Sequence, residues 1–121
     1  MKPLSLLIIP FLLFQFTPAN KKIEKTFYYF CDSHSMYSQT VNGKQVILYT
    51  NVYEITCEPE KIPARSAQWA MLVNKNCENE KGCTSDFNYY YTREDAQKNF
   101  EVTRRMYSDT SKYIAKMIDF K

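Results

Sequence analysis

The sequence predicts an α+β domain: a small antiparallel or mixed β-sheet of about four to five strands, one helix at about 92–108 packed on a face, and disulfides holding the whole. Three observations predict it. Aromatic and β-branched runs recur between turn signals, as in Thr26-Phe27-Tyr28-Tyr29-Phe30 and Phe87-Asn88-Tyr89-Tyr90-Tyr91. A single stretch, opening at Thr92, carries a helix start, an apolar stripe and a helix end. Cys31, Cys57, Cys77 and Cys83 follow an opening segment with the anatomy of an export signal.

That opening segment reads as follows. Lys2 gives a positive start, Leu4 to Phe16 is apolar apart from Ser5, Pro10 and Gln15, and Thr17-Pro18-Ala19 places small residues before a cut after Ala19. The run is too short to span a bilayer comfortably, so residues 1–19 are expected to be a secretory signal peptide. Residues 20–121 are then a single small exported α+β domain, periplasmic or extracellular, with no stable membrane span after cleavage. A chain of that size buries a core with a thin margin, which makes cross-links valuable.

Each element has its own warrant. Ile23 to Cys31 is rich in aromatic and β-branched residues and predicts a strand, with a bend over Asp32 to Tyr37. Asn42-Gly43 signals a hairpin turn, because both central residues of a type I′ turn need positive φ. Val46 to Cys57 predicts one long strand whose odd positions, Ile47, Tyr49, Asn51, Tyr53, Ile55 and Cys57, share a face. Glu58 to Pro63 carries two prolines and reads as an extended connector. Ala64 to Asn74 fits either a strand, through the alternation of Trp69, Met71 and Val73, or a helix, through its alanines; the strand is preferred.

A second aromatic strand follows at Phe87 to Tyr91. Thr92 is a good N-cap, Glu94 and Asp95 suit the first turn, and Ala96, Phe100, Thr103, Met106 and Tyr107 form an inward stripe. Glu94–Lys98 and Glu101–Arg105 are acid-before-base pairs four apart on the wet face. Tyr113 to Phe120 predicts a closing strand with Ile114, Ile118 and Phe120 on one side.

An even cysteine count in a short exported domain predicts two disulfides. The preferred pairing is Cys77–Cys83, clipping a polar loop, with Cys31–Cys57 joining two strands. In the loop-entropy picture these are worth about 2.4 and about 3.5 kcal/mol.

The composition excludes more than it names. The net charge is +3, lysines and arginines are interspersed with acids, and no basic stripe suited to nucleic acid is present. With two glycines no Gly-rich phosphate loop can be built. No cofactor and no metal site is expected, and paired carboxylates such as Glu58 and Glu60 have ordinary explanations in solvation. The ten tyrosines and Trp69 are the outlying feature. Such rings suit half-buried sheets and dominate binding hot spots.

The expectation is therefore a non-enzymatic binding or interaction protein using Trp69, Tyr89, Tyr91 and Tyr53 on an aromatic sheet surface. Its partner would be another exported or surface protein, with a glycan as second choice. Two alternatives belong to other classes. One is a small Cys/His-dependent or metal-binding enzyme centred on Cys31 and His34, the only histidine. The other is a subunit of an exported assembly that associates through the edge of the last strand.

Overall fold

The computed structural model describes residues 22–34, 40–41, 43–76 and 83–120. In chain order the elements are β1 (Lys25–His34), β2 (Thr40–Val41), β3 (Lys44–Tyr49), β4 (Tyr53–Cys57), a 3-10 turn (Pro59–Lys61), α1 (Ile62–Asn76), β5 (Asp86–Tyr90), α2 (Arg93–Met106) and β6 (Tyr113–Met117). The six strand segments make one mixed sheet. Only β6 runs parallel to its neighbour, β3; the other pairings are antiparallel. The fold class is α+β.

Strand β1 is the spine. Its Tyr28–Asp32 stretch pairs with β5 on one edge, while Lys25–Tyr29 pairs with β4 and Asp32–His34 with β3. Because Tyr28, Tyr29 and Asp32 have partners on both sides, β3 and β4 lie on the same edge of β1. They are one bulged strand. Tyr29 opposes Tyr53 and Asp32 opposes Tyr49, so two residues of β1 face three of its partner, Thr50-Asn51-Val52. Thr50, fully buried, knits the gap: its N–H donates to the Cys31 carbonyl at 3.0 Å, and its hydroxyl accepts from the Cys31 N–H at 2.9 Å.

This bulge corrects the single-face reading of Val46 to Cys57. The extra residue reverses the alternation, so Ile47 and Tyr49 line one face of the sheet while Tyr53 and Ile55 join the core on the other, beside Val46 and Leu48. Upstream, the β2–β3 hairpin turns at Gly43, whose φ of 78° a side chain would resist. Asn42 lies outside the described residues. Strand β1 also runs on through Asp32, Ser33 and His34, where a bend was expected.

The residues expected to prefer a strand at 64–74 form helix α1, so two α-helices rather than one stand among the described residues. The alternation was misleading because Trp69 and Val73 are four apart and fall on one helical face. Both are buried, with Met71 outward at 70% exposure. The prolines of the supposed extended connector do the opposite of extending it. Pro59 and Pro63 stand at the first turns of the 3-10 segment and of α1, where a missing N–H costs no bond.

The two helices cover opposite faces of the sheet. Phe27, Tyr29, Cys31 and Ser33 alternate with Tyr28, Phe30, Asp32 and His34 along β1, which is why this strand is buried nearly throughout. On the first face Tyr29, Cys31 and Leu48 pack with Trp69 and Val73 of α1 and with Phe120. The Trp69 indole N–H donates to the Asp32 carbonyl at 3.2 Å. Arg65 fastens the chain end here: its guanidinium lies 4.0 Å from the Phe120 ring centre, donates to the Phe120 carbonyl, and donates to the Tyr29 hydroxyl at 3.2 Å.

Helix α2 covers the second face. Thr92 caps it by accepting from the Asp95 N–H at 3.2 Å. Ala96 and Phe100 are buried and Thr103 and Tyr107 half-buried, but Met106, expected inward, is 62% exposed. The helix begins over Tyr28, where Arg93 lies 4.9 Å from the ring and pairs with Glu54 at 3.3 Å. It ends beside His34, which stacks on Tyr107 at 6.3 Å. Neither expected wet-face ion pair is formed among the described residues; Glu101 instead accepts from Gln97 at 3.0 Å.

The expected Cys31–Cys57 disulfide is overturned by register. Both cysteines are free thiols. Cys57 opposes Lys25, six residues along β1 from Cys31. At about 3.3 Å per residue the pair sits some 20 Å apart, far beyond the ~7 Å Cα limit for a disulfide. Cys83 is not among the free thiols, and its expected partner Cys77 lies outside the described residues, as do residues 1–19.

Candidate functional site

The four aromatic residues expected to form one binding surface divide into two groups. Trp69 is 0% exposed at the centre of the α1 core, so no partner reaches it; its place on that surface is corrected. The cause is the helix that replaces the expected strand and turns the indole inward. Tyr53 is half-buried against the Tyr29 ring at 5.6 Å. Its hydroxyl donates to Asp119 at 3.2 Å and accepts from the Phe120 N–H at 3.2 Å, and burial pushes its pKa up. That hydroxyl is occupied in holding the C-terminal segment.

Tyr89 and Tyr91 stand apart from that core. They are 46% and 69% exposed, and both rest on the buried ring of Phe27, at centroid distances of 5.9 and 5.6 Å. Period-two alternation places them on one side of the chain, as expected. Among the described residues β5 pairs only with β1, leaving its outer edge without a strand partner.

Cys31 and His34 do not meet. Three residues apart on a strand, they point to opposite faces, Cys31 into the α1 core and His34 towards Tyr107. The Cys31 thiol is fully buried, and desolvation pushes its pKa well above the ordinary thiol value, which keeps it protonated. Among the described residues no group of His, Cys, Asp and Glu side chains is arranged to hold a metal ion.

His34 instead belongs to a hydrogen-bonded cluster at the end of β1 and β5. Its Nδ1 lies 3.1 Å from the Thr84 hydroxyl, which donates to Asp86 at 3.3 Å. Asp32 and Asp86 sit directly opposite each other across the strands. Asn88 donates to Asp32 at 2.8 Å and offsets part of that repulsion. Burial, with the Asp86 charge adding to it, raises the Asp32 pKa above the usual carboxylate value. In a catalytic triad the imidazole stands between nucleophile and acid; here the hydroxyl stands between imidazole and acid. The cluster closes the strand ends.

The second face carries a cavity as well. About 280 Å³ opens between the last turns of α2 and the β3–β6 side of the sheet. Phe30, Ile47, Phe100 and Ala115 give it apolar walls, Tyr49 and Tyr107 flank it, and Thr103, Ser108 and Thr110 add hydroxyls. Arg104 is the only charged residue lining it among those described, and its guanidinium lies 5.7 Å from the ring centres of Tyr49 and Phe100. The space exists because α2 lies over β1 and β5, leaving the β3–β6 side less covered.

None of these lining residues was singled out as a site from sequence, although Phe100, Thr103 and Tyr107 belong to the predicted stripe. Arg104 beside that stripe was the available signal. No family model, curated protein or solved structure matches the chain.

Proposed function

We propose that this chain is a small exported binding protein that engages another exported or surface protein through Tyr89 and Tyr91 at the free edge of β5. The observation that carries the reading is the exposure of both rings on a fixed Phe27 base. An exposed aromatic anchor with little freedom loses little entropy on binding, and Tyr is favoured at hot spots for that reason. The adjacent edge, without a strand partner among the described residues, suits an extended segment of the partner, the mode of strand addition. Residues 1–19 would deliver the protein to the periplasm or the outside. Cys77–Cys83 is the disulfide the reading retains, so reduction should open one disulfide while Cys31 and Cys57 remain thiols throughout.

The test is chemical crosslinking in the exporting cells, comparing wild type with the Tyr89→Ser/Tyr91→Ser double variant. A discrete adduct formed by wild type and lost in the variant, with near-ultraviolet circular dichroism of Trp69 unchanged, supports the proposal. An adduct retained by the variant, or none from wild type, overturns it.

A further inference from the structure

We propose that the cavity under α2 is a binding site for a small anion with an apolar, aromatic body. Three features define the occupant. The first is volume: an apolar cavity of about 150 Å³ accepts benzene, so 280 Å³ accommodates a ring with a short chain. The second is lining. Phe30 and Phe100 meet edge-to-face at 5.5 Å, and Tyr107 meets Tyr113 likewise at 5.0 Å, so ring edges are presented by side chains already fixed by one another.

The third is charge. Arg104 is the only charged lining residue among those described, and it enters no salt bridge there. Its guanidinium rests near two aromatic rings, which leaves its hydrogen-bonding edge available for a carboxylate. The negative end of α2 is close by, and two carbonyls of its last turn are already engaged. The Tyr107 N–H donates to the Arg104 carbonyl, and the Ser108 N–H and hydroxyl donate to the Arg105 carbonyl. The expected ligand class is therefore an arylalkanoate, with its ring between Phe30, Phe100 and Tyr107 and its carboxylate at Arg104.

This site lies on the opposite face of the sheet from the Tyr89–Tyr91 edge, so it stands or falls separately from the protein-binding proposal. The experiment titrates the purified protein with 3-phenylpropanoate and with the uncharged 3-phenylpropan-1-ol, following amide shifts by NMR. The carboxylate should bind saturably with a Kd of about 1 mM or tighter, moving amides of β3, β6 and the end of α2. The alcohol should bind about fivefold more weakly, the discrimination expected of a solvent-facing cation.

Arg104→Gln should weaken carboxylate binding about fivefold and so remove that difference. Thr103→Trp, which fills the cavity from α2, should abolish both. Absence of saturation for either compound, shifts confined to residues away from the cavity, or equal affinities insensitive to Arg104→Gln would overturn the proposal. Should Thr103→Trp fail to fold, Ala115→Leu fills the same space from β6 and takes its place.

Discussion

The two faces of the sheet are built from the same strands and finished differently. Beneath α1, Trp69, Val73, Tyr29, Cys31, Leu48 and Phe120 close a packed core in which the one indole has its hydrogen-bond partner. Beneath α2, a 14-residue helix buries Ala96 and Phe100 and leaves a cavity at its end, with a buried carboxylate opposite a second one nearby. The first arrangement spends its large side chains on stability. The second gives up packing and keeps a shaped, singly charged space. The comparison teaches that an aromatic ring serves either packing or contact: Trp69 is used inside the first face, and the rings of that face that remain exposed are Tyr89 and Tyr91 at its edge.

Breaking the closed face should have the largest effect. Trp69→Ala removes a fully buried ring and a hydrogen bond, and should cost about 3–5 kcal/mol in urea unfolding. A loss under 1 kcal/mol would mean that the α1 face is not the stabilising one. Next comes the seam between β3 and β4. Thr50→Val keeps the shape but leaves the buried Cys31 N–H without its acceptor, and should cost about 2 kcal/mol. A neutral result would show that the bulge is held by something other than the threonine hydroxyl.

On the open face the sign reverses. Asp32→Asn keeps an acceptor for Asn88 and relieves the facing Asp32–Asp86 repulsion, so stability at neutral pH should rise by about 0.5–1 kcal/mol. The Asp32 pKa is raised in the folded state above its unfolded value. The native protein therefore binds more protons between the two values, and stability falls as pH rises through that window. The gain from Asp32→Asn should accordingly vanish once the solution is acid enough to protonate Asp32 in both states. A gain that persists in acid would point away from charge.

Much of the fold was legible because it rests on local rules. Thr92 with Glu94 and Asp95 marked the start of α2, Gly43 marked the hairpin, and the aromatic runs marked β1 and β5. What escaped the sequence was non-local or ambiguous in period. Trp69, Met71 and Val73 satisfy a strand period and, at Trp69 and Val73, a helical one; only the sheet beneath decides between them. The bulge at Thr50 has no glycine to announce it and depends on which strands pair, and with it went the facing of Tyr49 and Tyr53. The cysteine pairing failed for the same reason, since register cannot be read from spacing. The cavity was invisible because it is defined by where a helix stops covering the sheet.

The measurement that tests the contrast between faces most directly is the urea midpoint of Thr103→Leu against Thr103→Gln. Leucine and glutamine have similar helix propensities, so their difference reads the apolar filling of the cavity alone. An unfilled second face predicts that the leucine variant is the more stable by about 0.5 kcal/mol, at unchanged m-value. A leucine variant less stable than the glutamine variant, as overpacking would make it, would show that this face is already closed and would contradict the account.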